Sequence, residues 1–551
     1  MADEVFATRA NPPRGVGAGG FEPPTSCSQS KRANQAALRP VDSNRTPLGA
    51  GQVVAPKWST GQILKSLVDY LLQRDSQGVE PWGSSETGET LERVWQQIDA
   101  DLDAHIGAIQ TYLRQPSVSG TGEGIEQGAV ATADLLEHAG GVAEVVPTPG
   151  HPVVLGSVEG AGPRLLRYFM YDVQPAEEDD WTSPPFAAEI HDLPDVGRAI
   201  VARGSANSKG CLAAFLLAIE SLKKVAEMPV SFGFVCDGEE ELGSPNLPAV
   251  FDQHRDRLAA DAVLDLDLTA DRWGTPEVYL GCKGILSLRL TCRGSDWGGP
   301  IDRALHSSQG VVIASPAWSL VRALRALVDD DESVRVPGLA SGSVPPEDKS
   351  YVDALVEGFD ARGHLIEAGA SRFKGDIDAY EVVTRMLYGV AANVNGMRAG
   401  YPEGGKTIIP HEADAILDLR VPYGTDPQEI EDSTRAWLAE NVPEVEVDFP
   451  EFCPPAKTSP TSAVAKAMIA SHDDIGKPAR VWPSAPWWAP YYLFEQNLDF
   501  PFAVGGAGHA ARAHASDEYA TLEGLREHMK QSTAFLFRFA EESGKEGRRV
   551  D

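Results

Sequence analysis

The chain has 551 residues, 42% of them hydrophobic, and its 80 acidic against 48 basic side chains leave a net charge of −32. That length holds more than one domain with ample core, and so acidic a surface repels nucleic acid and anionic membrane while attracting cations. The six cysteines form no C-x-x-C pair and no apolar run approaches the roughly 18 residues of a membrane span, which argues against a disulfide scaffold, a cysteine zinc site or a membrane protein and sets the expectation of a reducing cytoplasm.

Residues 1–56 are rich in Pro, Gly, Ser, Arg and Asn without apolar periodicity, which reads as a disordered extension. The phrase GGFEPPTSCSQSK within it looks like one strand of a transfer-RNA gene read in frame, so the natural start is expected downstream of Met1. Residues 57–90 read as an extra helical segment, because Ile63, Leu64, Leu67, Val68, Leu71 and Leu72 follow helical spacing between Thr60 and Arg74. A long amphipathic helix then starts near Leu91 and runs through Trp95, Ile98, Ile106 and Ile109.

From Pro163 to Asp267 the β-rich runs LLRYF, VSFGFVC and AVLDLDL alternate with helical stretches such as Cys211 to Val225. Such alternation predicts an α/β layer with a largely parallel sheet, whose site lies at the C-terminal ends of its strands. After Cys282 the pattern changes: ILSLRLTCRG reads as a strand, Val311 to Val328 as a helix and ADAILDLRV as a further strand.

The chemistry-bearing phrases fall at these strand ends. In order they are YFMYDVQP, ARGSANSKG, CDGEEELGS, LDLDL, ALHSS and RAHASDE. Adjacent carboxylates such as Glu240 and Glu241 are most often solvated loop charges, and a lone histidine is more often structural than a ligand. Taken together and in this order, however, the phrases resemble the co-catalytic zinc peptidases related to carnosinase, glutamate carboxypeptidase, aminoacylase and acetylornithine deacetylase. VNGMRAGYPEGGKTIIP is close to that family's lid phrase in its carnosinase-like branch.

The resemblance implies a catalytic domain over residues 91–281 and 453–545, interrupted by an α+β lid over residues 282–452 through which two chains pair. It implies Glu240 as general base, Glu241 and His514 as ligands of one metal, and Asp267 as ligand of a second, with Asp265 on the same strand face as its rival. His509 and Arg512 precede His514 in the family manner, with Asp517 where Asn is usual. His306 corresponds to a lid histidine that stabilises the oxyanion in a partner's site, and Arg420 in ILDLRVP to an arginine that grips substrate carboxylate.

Two positions depart from the family pattern, which writes H-x-D-V-x-P and G-R-G-x-x-D-x-K-G. Met170 stands at the histidine ligand and Asn207 at the metal-bridging aspartate. Two divalent ions roughly 3.5–4 Å apart need an anionic bridge, and a thioether suits copper(I) better than zinc. At most one divalent ion is therefore expected, zinc by its donors, held by Glu241 and His514 with Asn207 assisting, and a site without metal is the alternative. Asp172, which orients the ligand histidine in the family, loses that partner here. A third departure is SAPWWAPYYLF where the family has small residues: Trp487, Trp488, Tyr491 and Tyr492 fill or line the substrate pocket. The expected function is hydrolysis of an amide bond in a small peptide or N-acyl amino acid. The alternative is a diverged member that catalyses another reaction or binds a ligand without two-zinc chemistry.

Overall fold

The computed structural model describes residues 85–550, apart from 272, 340, 341, 402 and 403. The sequence expectations for residues 1–56 and for the helix between Thr60 and Arg74 lie outside the described residues.

Helix α1 (Glu86–Leu113) is capped by Ser85, whose side chain accepts the Gly88 N–H, and buries Val94, Ile98, Ile106 and Ile109 along one stripe. After α2 (Ile125–His138) come β1 (Val142–Val146), β2 (Val153–Val158) and β3 (Arg164–Met170). The hairpin β4 (Glu189–Leu193) and β5 (Gly197–Val201) precedes α3 (Lys209–Val225), then β6 (Ser231–Asp237), β7 (Ala262–Leu266) and β8 (Glu277–Tyr279).

The inserted region begins with β9 (Gly284–Arg293) and α4 (Pro316–Leu327), followed by α5 (Lys349–Glu357), α6 (Ala379–Tyr388), β10 (Ala391–Ala399), β11 (Glu412–Val421), α7 (Pro427–Asn441) and β12 (Val445–Asp448). The chain closes through α8 (Ala463–Asp474), β13 (Arg480–Trp482), β14 (Phe502–Gly505), β15 (Tyr519–Thr521) and α9 (Leu522–Val550).

The main sheet has eight strands in the order β1-β2-β6-β3-β7-β14-β8-β13. Its centre, β6-β3-β7-β14, is parallel throughout. These strands are buried on both faces, which is why they read as near-continuous apolar runs rather than alternating ones. One face packs under α1, α3, α8 and α9 through Phe169, Phe215, Leu264 and Phe535. The other face packs Tyr168, Val235 and Val263 against Phe251, Tyr491 and Phe494. Met170, Asp237 and Gly505 are the last residues of three central strands, and Asp267 follows the fourth, so four strand ends open on one edge of the sheet.

The inserted region has its own antiparallel sheet, ordered β10-β11-β9-β12, covered by α4 and α7. Helix α4 is shorter than the expected span: Pro316 occupies its first turn, which fixes the start, and residues 307–311 form a separate 3-10 turn. The outer strand β10 leaves Val394 and Met397 about half exposed, and α4 leaves Trp318 71% exposed. Helices α5 and α6 lean the other way, packing Val352, Leu355, Val383 and Leu387 with Trp482 of β13, an edge strand of the main sheet.

Candidate active site

The strand-end edge gathers Asn207, Glu240, Glu241 and His514 from three separate segments. Asn207 precedes α3, Glu240 and Glu241 form the 3-10 turn after β6, and His514 lies in the loop before β15. That last loop holds Arg512, His514 and Asp517 at φ values of 63°, 64° and 54°. Three non-glycine residues in the left-handed region within six positions cost conformational energy, and such strain concentrates at functional sites.

Asn207 Nδ2 lies 2.9 Å from Glu241 Oε1 and 2.9 Å from His514 Nε2, while His514 Nε2 is 3.0 Å from the same Glu241 oxygen. These three atoms therefore converge on one point. A neutral imidazole nitrogen cannot accept from the amide and donate to the carboxylate together, so one of the three contacts always sets like groups against each other. A cation among them removes that conflict, with Asn207 turned to present its oxygen. Ser208 Oγ now donates to that oxygen at 3.1 Å. The second Glu241 oxygen accepts from Gln174 Nε2 at 2.9 Å. The Glu241 carboxylate also raises the His514 pKa above its ordinary value. One carboxylate, one imidazole and one amide can hold a single divalent ion, the rest of its shell coming from water or substrate.

Glu240 has its carboxyl pushed well above the usual range, by burial first and then by the neighbouring Glu241 charge. Asp172 does not stand alone after losing an imidazole partner. It is fully buried, and its two oxygens accept the backbone N–H groups of Glu240 and Glu241, each at 3.1 Å. Burial and the nearby Asp237 charge push its pKa up to about 8.

The second-metal residues are differently engaged. Asp267 Oδ1 lies 3.0 Å from the Cys211 sulfur, whose single proton is shared with the Ser208 carbonyl at 2.8 Å. Its rival Asp265 is committed elsewhere, paired with Arg167 at 3.1 Å and accepting the Tyr491 hydroxyl at 2.6 Å. Met170 is buried at the end of β3. Among the described residues no three His, Cys, Asp or Glu side chains gather closely enough to hold a metal by themselves.

Other candidates lie apart. His306 is exposed on the lid, where its ring contacts Ser308. Arg420 on β11 donates to Asp418 Oδ2 at 3.0 Å. Trp487 packs edge-on to Tyr279 at 5.1 Å, and Trp488 donates its indole N–H to the Pro454 carbonyl at 3.1 Å. Both rings are only partly buried.

Two site residues had no place in the sequence reading. Glu518 is fully buried, pairs with Arg203 at 2.6 Å, and accepts the N–H groups of Ala206 and Asn207 at 2.9 Å, so it fixes the loop that carries Asn207. Arg167 is the other, and its signal was visible: a charge in the middle of the apolar run LLRYF.

The model of peptidase family M20/M25/M40 matches residues 170–546. Beta-Ala-His dipeptidase of Rattus norvegicus is 25% identical over 368 residues, which cover 61% of this chain and 71% of that protein. Among solved structures, an M20 family metallo-carboxypeptidase of Sulfolobus solfataricus superposes with a TM-score of 0.71 at 29% identity, covering 79% of this chain and 99% of the other. Human carnosine dipeptidase 1 gives 0.67 at 20% identity over 82% of this chain and 99% of its own, a likeness of fold. With its motifs in family order at the strand ends of an α/β sheet that carries an inserted lid, the chain belongs to peptidase family M20/M25/M40.

Proposed function

We propose that this chain hydrolyses an amide bond in a small peptide or N-acyl amino acid, using one divalent metal ion, zinc, held by Glu241, His514 and Asn207. The observation that carries this reading is the convergence of those three side chains beside a general-base candidate, Glu240, whose backbone is held by Asp172. A divalent ion bound there supplies Lewis-acid activation of water and of the scissile carbonyl. Glu240 then takes the proton of the attacking water and delivers it to the leaving nitrogen. His306, contributed by a second chain across the lid, stabilises the oxyanion. Arg420 leaves Asp418 to grip the substrate carboxylate, and Trp487 and Trp488 bound the pocket with aromatic surface. The dipeptidase activity named for the rat relative supports the substrate class.

The test is a hydrolysis panel of dipeptides and N-acyl amino acids with the purified zinc-loaded chain, with Glu240→Gln as control. Zinc-dependent turnover lost in the control supports the reading. Turnover that persists in Glu240→Gln defeats the assigned base.

A second reading, a diverged member with another reaction or with ligand binding only, is favoured by one observation: Asp267 Oδ1 lies against the Cys211 thiol and not with the Asn207–Glu241–His514 group. A panel without turnover, joined to zinc-independent binding of a ligand, selects it.

A further inference from the structure

Strands β3 and β7 pair in parallel only from Leu165–Ala262 to Arg167–Leu264. Beyond that pair, the gap between them is filled by the Arg167 guanidinium. Its Nη1 donates to Leu264 O at 2.8 Å, to Asp265 Oδ1 at 3.1 Å and to Tyr168 O, and Nη2 donates to Leu266 O at 2.9 Å. The guanidinium carbon sits 3.3 Å from the Phe169 ring centroid and 5.2 Å from that of Phe215. The side chain has no solvent exposure. A cation so placed is built into the fold: its donors face strand carbonyls and one carboxylate, and aromatic faces cover it.

Its position matters because two of its acceptors, Tyr168 O and Leu266 O, lie two residues before Met170 and one before Asp267 on the parting strands. The guanidinium therefore lies beneath the two residues that correspond to the second metal position, and Asp265 and Asp267 are both among the charges acting on it. Arginine keeps its proton in proteins, so this is a fixed positive charge.

We propose that the Arg167 guanidinium is the resident cation of the second metal position, paired with Asp265 and keeping a second divalent ion out. This rests on the single-metal reading above, and it goes beyond that reading by naming a residue that enforces it. Lost ligands at Met170 and Asn207 explain weak binding of a second ion, whereas Arg167 adds repulsion that restoring those ligands does not remove.

The experiment is zinc titration calorimetry with elemental analysis on the full chain, comparing wild type, Met170→His/Asn207→Asp, and that pair combined with Arg167→Gln, which removes the charge while retaining an amide donor for the strand carbonyls. Arg167→Met in the same background serves if the Arg167→Gln variant does not fold. The expected result is a second zinc at least ten-fold tighter once Arg167 is neutralised than with the ligands restored alone. A second zinc bound equally in both, or in neither although circular dichroism shows both folded, overturns the proposal. A wild type that binds no zinc contradicts the single-metal reading, and the comparison between variants still decides on Arg167. Two tight zinc ions in the wild type overturn both.

Discussion

The Asp172 carboxylate accepts the backbone N–H of Glu241 at 3.1 Å through one oxygen and that of Glu240 at 3.1 Å through the other. Asp172 thus orients the base and a metal ligand through the main chain, without touching either side chain's reacting atoms. Asp172→Ala leaves two N–H groups of a half-buried turn without their carboxylate partner and frees the turn to shift. The expected outcome is zinc affinity reduced by about 10- to 100-fold, the usual cost of losing an outer partner of a metal site. Competition with a chromophoric chelator measures it, and unchanged affinity in the folded variant removes the positioning role.

The candidate ligands are predicted to be unequal. Glu241→Ala and His514→Ala each take away one of the two strong donors of the convergent site, so either abolishes stoichiometric zinc binding. Asp267→Ala leaves it intact, because that carboxylate is engaged by Cys211 rather than by the convergent group. Elemental analysis after dialysis distinguishes them. Loss of zinc in Asp267→Ala equal to that in His514→Ala means that Asp267 belongs to the occupied site.

Much of this arrangement was legible in the sequence because it depends on local order. The run AVLDLDL announced a buried parallel strand, and GEEELGS announced a turn after VSFGFVC, so the α/β class and the strand-end placement of Glu240, Glu241 and Asp267 followed from pattern. What remained hidden depends on contacts distant in sequence. Asp265 and Asp267 share a strand face and could not be ranked by periodicity, and only the packing of Tyr491 and Arg167 against Asp265 separates them. Glu518 lies 311 positions from Asn207 and joins it through a backbone bond that no motif spacing encodes. Arg167 was readable as an anomaly in LLRYF, but its meaning needed the splayed register of β3 and β7.

Two buried histidines contribute to the pH dependence of stability, opposed in the same range by buried carboxyls such as Asp172 and Glu240, whose pKa values are raised. Burial pushes His472 and His528 both down to about 3, against about 6.5 for an unfolded histidine. The unfolded chain therefore binds more protons than the folded one between pH 6.5 and 3. The stabilising contribution is complete above pH 6.5 and declines as pH falls through that window, by about 1.4 kcal/mol per unit for each histidine. Urea unfolding at pH 7 and pH 5 should show a smaller loss for His472→Gln than for the wild type. An equal loss in both means that His472 is protonated in the folded state or already paired there.

Assembly is the last question that the geometry makes testable. The lid sheet ends in β10, whose backbone edge is free on one side among the described residues, with Val394 and Met397 exposed beside it. Trp318 on α4 is exposed as well. An uncovered edge strand is a ready template for pairing with another chain, and His306 lies on the same lid without contact to the Asn207–Glu241–His514 group of its own chain. If two lids pair and each His306 completes the other chain's site, Met397→Lys shifts the protein to monomer in light scattering. Mixing His306→Ala with Glu240→Gln then restores about a quarter of the wild-type turnover: half of randomly formed dimers are mixed, and each mixed dimer carries one site with both residues intact. Confirmed mixed dimers without recovered turnover exclude a shared site, and a wild type that is monomeric at every concentration tested excludes the pairing itself.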